Sequence, residues 1–243
     1  MTGSPRRVAL AAGYLLHHRP WRDTSRILEV LTREHGRLTL FARAVRGPGA
    51  RLAAVLQPFR PLLLSWSGRG EAPQLTHAER GDDCGALPPA SVMAAFYLNE
   101  LLLKLTTRHD PLPQLYDHYQ ATLAALRAGA ALEPALRVFE KRLLEELGYG
   151  LELASEAHGG AALEPGGYYH FHPARGLVRS GAHHAGALAG ESLIGLREER
   201  LEGVRALEDA RRVLHAALAA CLEGRPLATR AVARSMVRKA ARS

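Results

Sequence analysis

The sequence predicts an α+β protein: a small five-stranded β-barrel at the N-terminus, followed by a mostly α-helical domain. Three observations lead there. The first 80 residues alternate short apolar runs with turn signals. From Ser91 onward the apolar residues recur at helical spacing. Positive charge is gathered at the two ends of the chain rather than spread along it.

In order, Val8–Leu16 is an apolar run and the first strand. Ile27–Leu31 and Leu38–Ala42 flank a polar stretch whose Gly36 suits a hairpin turn. Leu52–Leu56 reads as a short connecting element. Phe59–Trp66 is β-compatible, though Pro58 and Pro61 restrict it to an edge or a bulge. After the turn Ser67-Gly68-Arg69-Gly70, Gln74–Ala78 completes five strands without a long helix. The five-stranded barrel most often used for nucleic acid is the OB-fold. The domain boundary is expected at 80/81, giving a 1–80 barrel and an 81–243 helical domain.

Ser91–Leu105 is apolar nearly all round, as a central buried helix would be. Pro111 and Pro113 open a second helix, Leu115–Arg127. Glu133-Pro134 opens a third, whose Leu136, Phe139, Leu143 and Leu147 share one face and which Gly148 ends. Residues 149–190, rich in Gly and His, read as an irregular insert with room for a short hairpin. Helix returns at Gly203–Leu222, and Leu227–Lys239 is a final basic helix.

Residues 1–60 hold eleven arginines against Asp23, Glu29 and Glu34, a net charge of +8. Residues 221–243 add a net +5, whereas 61–220 is net −5. A coding bias toward arginine would not change sign along the chain. The pattern implies an anionic partner, of which nucleic acid is the first choice. No run of ~18 apolar residues suggests a membrane span, and the broken N-terminal apolar stretch does not fit a signal peptide. Cys84 and Cys221, far apart, suit a reducing cytoplasm.

Candidates for chemistry are few. His158, His170, His172, His183 and His184 share one segment, yet without thiolates or a regular ligand pair they read as solvated histidines rather than a zinc site. There is no GxSxG elbow, phosphate-binding GxxxxGK[ST] or GxGxxG. Glu145 and Glu146, as neighbours on a helix, cannot act as a paired acid and base. No catalysis, cofactor or metal is expected. The arginines remain. Arg19 and Arg22 flank Pro20-Trp21, Arg33 and Arg37 flank the hairpin turn, and Arg43, Arg46 and Arg51 run through a Gly/Pro loop. Guanidinium forks match phosphate oxygens, and Trp21, Phe41 and Trp66 are candidate stacking platforms. Phe41 is better read as core; Trp66 suits core and platform equally. The rival class is a protein–protein adaptor whose DNA binding is incidental.

HRPWRDTSRILEVLTREHGRLTLFARAVRGP, LQPFRPLLLSWSGRGE, YLNELLLKL, EPALRVFEKRLLEELGYG and GRPLATRAVARSMV, in that order, resemble the RecO family of recombination mediators. The resemblance implies an OB-fold on a helical domain, binding of single- and double-stranded DNA, strand annealing, and action with RecR and the single-strand-binding protein SSB to help RecA replace SSB on gapped DNA. It implies a cytoplasmic, nucleoid-associated protein. Many relatives carry four zinc-binding cysteines after the GYG segment; here LELASEAHGGAALEPGGYYHFHPARGLVRSGAHH has none, which points to the zinc-free branch, with Tyr168, Tyr169 and Phe171 as packing residues. The acidic, apolar-ended SSB tail that the resemblance implies would need a cation-rimmed pocket. Arg137, Lys141 and Arg142 are the expected rim, and Phe139 or Leu143 the wall. The stretch Arg230 to Arg242 is a second candidate DNA grip.

Overall fold

A computed structural model of the chain describes residues 7–43, 45, 51–82 and 84–232. Five strands run β1 (Arg7–Trp21), β2 (Ser25–Thr32), β3 (Gly36–Ala42), β4 (Pro61–Ser67) and β5 (Gln74–Arg80), with helix α1 (Arg51–Val55) between β3 and β4. They close into a barrel in the order β1-β2-β3-β5-β4, the OB-fold topology. All pairings are antiparallel except β3 with β5, which meet in parallel at Phe41 and Gln74. A two-residue period explains the core. Leu28, Val30, Leu38, Leu40, Leu62, Leu64 and Trp66 point inward and are almost fully buried. β1 is longer than its apolar run, continuing through His17 to Trp21 because the β1–β2 hairpin pairs as far as Trp21 and Ser25.

Helices α2 (Pro89–Leu105) and α3 (Pro113–Arg127) pack with the barrel in one compact unit, made of 1–129 and 227–243. Both start on a proline in the first turn, where its missing N–H costs nothing. Asn99 of α2 is buried; its Nδ2 donates to the Leu16 carbonyl (2.8 Å), and its Oδ1 accepts from Tyr119 Oη of α3 (2.6 Å). Tyr14 of β1 packs edge-on to Tyr119, with ring centroids 5.1 Å apart, and against Tyr116 at 5.5 Å. Burial, the largest influence, pushes the Tyr14 hydroxyl up to about 12. At the β2–β3 turn Gly36 has φ +67°, and a Cβ there would lie 2.2 Å from the Asp110 carbonyl oxygen. This close approach lets His109 N–H donate to the Arg37 carbonyl at 2.8 Å and lets Arg108 bridge beside Arg37. α2 is not buried all round: Phe96 is 41% exposed.

The second unit, 130–226, contains α4 (Leu132–Glu146), the three strands β6 (Tyr168–His172), β7 (Gly176–Ser180) and β8 (Leu188–Ala189), then α5 (Gly190–Arg197) and α6 (Gly203–Leu222). The strands pair in the order β7-β6-β8, so the Gly/His-rich stretch is a structured hairpin with an added strand. Tyr169 is fully buried and its Oη accepts from Glu164 N–H (2.8 Å). Tyr168 lies beneath Arg205, and Phe171 is half-buried.

The chain returns to the first unit at Leu227, where helix begins again over 228–232. Glu100 of α2 caps it from afar, accepting from Ala228 N–H (2.8 Å), Thr229 N–H (2.9 Å) and Thr229 Oγ1 (2.6 Å). The rest of the expected basic helix, 233–239, lies outside the described residues.

Candidate nucleic-acid interface

The outer face of β2 and β3, with the neighbouring loops, is where an OB-fold takes oligonucleotides. Register decides which side chains stand there. Arg19, Ile27 and Phe41 form one cross-strand row, and Trp21 opposite Ser25 begins the next. Arg43, just past β3, places its guanidinium 5.9 Å from the centre of the Phe41 ring. The β3–α1 loop is tied to the β1–β2 turn by Val45 N–H donating to the Thr24 carbonyl (2.8 Å), which keeps Arg43 on the Arg22 side of the face. Arg22 follows Trp21 in left-handed backbone, φ +51°. Arg19, Trp21, Arg22 and Arg43 are exposed, and none of the three arginines is paired with a carboxylate among the described residues.

Phe41 is therefore on the surface side of its strand and not in the core; the alternation sends Leu40 and Ala42 inward instead. Trp66 is the converse correction. As the third inward residue of β4 after Leu62 and Leu64 it is 6% exposed, with His35 edge-on at 5.2 Å, so it is a core residue rather than a platform. Arg26, at the barrel rim opposite Pro20 and Ala42, adds a cation the sequence reading passed over, since nothing in its neighbourhood marks it. Beside it, burial, then Arg26 and His17, lowers the pKa of His18, which favours its neutral form.

The other end of the same face is closed. Arg37 Nη1 pairs with Glu29 at 2.9 Å, while its Nε and Nη2 donate to Thr106 Oγ1 (3.0 Å) and the Thr106 carbonyl (2.8 Å). Arg108 and Thr39 also donate to Glu29, at 2.7 and 2.8 Å. Arg33 grips Asp117 of α3 through two 2.9 Å bonds and holds the Asp117 carboxyl below its ordinary range. Arg33 and Arg37, expected to contact phosphate, are instead committed to fastening α2 and α3 to the barrel. Arg46 and the Arg51 side chain lie outside the described residues.

The family assigned to this architecture agrees with it. The Recombination protein O N terminal family matches residues 8–80 and the Recombination protein O C terminal family residues 89–230. The chain belongs to the recombination protein O family. It is 44% identical over 233 residues to the DNA repair protein RecO of Methylococcus capsulatus, covering 96% of each chain. The RecO proteins of Thiobacillus denitrificans (40% over 242 residues; 96% of this chain, 94% of that one) and Coxiella burnetii (39% over 226 residues; 93% and 97%) are similarly close. The family boundary falls between residues 80 and 89, whereas compact packing groups α2 and α3 with the barrel.

In this recombination protein O chain most of the side chains expected to receive the tail on α4 are enclosed. Phe139 is fully buried and Arg137 is 3% exposed, with Nη2 3.1 Å from Glu140 and Nη1 3.0 Å from His215 Nε2. Lys141 is equally enclosed, paired with Glu145 (3.0 Å) and Glu199 (2.9 Å). Arg142, the more open of the three, pairs with the same two carboxylates. Arg137 and Lys141 are paired and buried inside the unit, and Arg142 alone of the three is open to solvent. Among the described residues no group of three or more His, Cys, Asp or Glu is placed to hold a metal ion; His170 and His184 meet edge-on at 5.8 Å. No described helix is long and apolar enough to cross a membrane.

Proposed function

We propose that this protein acts in DNA repair and recombination by binding DNA on the open end of the barrel face. The observation that carries the reading is the cluster of Arg19, Arg22 and Arg43, free of carboxylate partners, around an exposed Trp21 and the half-buried Phe41. Guanidinium groups neutralise phosphates on either single or double strands, and an indole gives an unpaired base a stacking surface. A protein that screens phosphate repulsion on two strands raises their effective concentration and so anneals them without an active site. By family analogy the partners are RecR, the SSB tail and, indirectly, RecA, in the cytoplasm at the nucleoid; the names of its relatives, DNA repair protein RecO, support the role.

The test is a salt titration of binding to a fluorescent oligonucleotide. With Arg19 and Arg43 both changed to alanine, affinity should fall and the slope of log K against log salt should flatten by about 1–2, since each lost phosphate contact removes ~0.7–0.9. An unchanged slope would remove these residues from the interface.

A further inference from the structure

β1 is irregular just before it reaches Arg19 and Trp21. Leu15 pairs with Val30 and His17 with the neighbouring Glu29, so Leu16 is an extra residue, a β-bulge. The bulge changes the phase of the strand. Leu15 is fully buried inside the barrel, and strict alternation from it would send His17, Arg19 and Trp21 inward as well. After the extra residue all three are exposed. His17 therefore shares a face with Arg19, two residues along. That spacing is about 6–7 Å, close to the separation of successive phosphates in a DNA strand.

The surroundings of His17 suit an anion. In its cross-strand row Glu29 stands opposite and Thr39 beyond, and Thr39 is buried. The Glu29 carboxylate is held by two guanidinium groups, those of Arg37 and Arg108, at 2.9 and 2.7 Å, so it brings no net negative charge to the row. On β1 itself the titratable and charged neighbours are His18 and Arg19. The two histidine rings lie 6.4 Å apart. His18, opposite Leu28, has its Nδ1 buried without a partner, and burial first, then Arg26 and His17, favours its neutral form. α2 reaches this part of β1 through the uncharged Asn99, which donates to the Leu16 carbonyl. The ionisable groups of α2 are engaged elsewhere: Glu100 with Ala228, Thr229 and Lys104, and Tyr97 with Arg230. From α3, Tyr116 and Tyr119 face Tyr14, further back on the strand.

We propose that His17 is a phosphate contact of the barrel face whose charge is set by pH, so that DNA binding takes up a proton and tightens in acid. The inference rests on the reading of that face as DNA-binding. Histidine is the side chain that changes charge between about pH 5 and 8. A phosphate beside it favours the charged form, and by linkage the charged form favours the phosphate. The bulge is what brings this group to the face, as bulges elsewhere re-aim a side chain beside a functional site. The result is a graded grip: Arg19 and Arg43 hold at every pH, and His17 adds to them as acidity rises.

The test measures binding of a fluorescent single-stranded oligonucleotide to the full chain at about pH 6 and about pH 8 and fixed salt, across the range in which histidine titrates. His17→Gln, His17→Lys and His18→Gln are compared with the unaltered protein, so that the titration of the other histidines cancels. At the lower pH His17→Gln should bind about three- to fivefold more weakly than the unaltered protein, the scale of one exposed charge contact. At the higher pH the two should be alike. His17→Lys, charged throughout, should match the unaltered protein in acid and exceed it at the higher pH. Calorimetry in two buffers of different ionisation enthalpy should show proton uptake on binding that His17→Gln reduces and His18→Gln leaves. Equal pH dependence of the unaltered protein and His17→Gln overturns the proposal, as does an equal loss at both pH values. It is overturned too if His18→Gln, and not His17→Gln, removes the proton uptake. The Arg19 and Arg43 double variant reports separately on the barrel face through its salt slope, so the two readings can fail independently.

Discussion

One sheet face of the barrel has two ends that sequence alone makes look alike. Each carries arginines beside a turn. At one end Arg19, Arg22 and Arg43 surround Trp21 and Phe41 and face solvent. At the other, Arg37 and Arg108 converge on Glu29, and Arg33 locks onto Asp117. The difference lies in two carboxylates, Glu29 and Asp117. Glu29 stands in the row between the two ends, and Arg37, Thr39 and Arg108 all donate to it. An arginine's role follows from whether an acid lies within reach, and that is set by the tertiary fold rather than by the arginine's own neighbours in sequence.

The largest way to break this comparison is to remove the acid. Glu29→Gln leaves Arg37, whose side chain is only 11% exposed, without its charge partner. The expected cost is about 2–3 kcal/mol, slightly below that of breaking a fully buried pair because some water still reaches both groups. The shift of the urea midpoint measures it. The same carboxyl sits below its ordinary 4.5: burial pushes it up, but hydrogen bonds from Arg108 and Thr39 and the charges of Arg108 and Arg37 outweigh that. A carboxyl lowered by folding contributes stability that is whole above the unfolded value and is lost as pH falls through the folded one. Unfolding of the unaltered protein should therefore become easier from about pH 4.5 downward, and this component should be missing in Glu29→Gln. A next step sharpens the open end. Trp21→Ala should cost about 1–2 kcal/mol of single-strand affinity and markedly less on duplex, if the indole stacks on bases. Equal losses on both substrates would assign Trp21 a positioning role only. The smallest effect is expected at Arg33→Ala. The pair with Asp117 is about half exposed, so the urea midpoint should scarcely shift, and the salt slope of DNA binding should not move.

Much of the fold could be read from the sequence because its signals are local. The alternating runs of β2 and β3, the prolines opening α2 and α3, and Gly36 at the turn each state their conformation within a few residues. The short α5 carries no such statement, since Gly195 interrupts its single apolar stretch. The candidate site was legible only in composition. Arg137 and Lys141 look like a solvent-facing rim on a helical wheel, yet they are buried against Glu140, His215 and Glu199, residues met only after the chain has folded. Trp66 and Phe41 exchanged roles for a related reason: inward and outward are fixed by the phase of the strand, and neither residue's immediate neighbours reveal it.

The contact of residues 108–109 with Arg37 also bears on the exposed edge of the barrel. β3 meets β5 only at its far end, so part of β3 would otherwise show unpaired backbone groups, a template for another chain to add a strand. The Arg108 bridge and the His109 N–H cover part of that edge. Severing the chain at residue 80 would uncover it, and the fragment would be prone to associate strand to strand. The link between α2 and α3 thus serves as an edge guard, which ties the barrel's resistance to aggregation to a segment well outside the barrel.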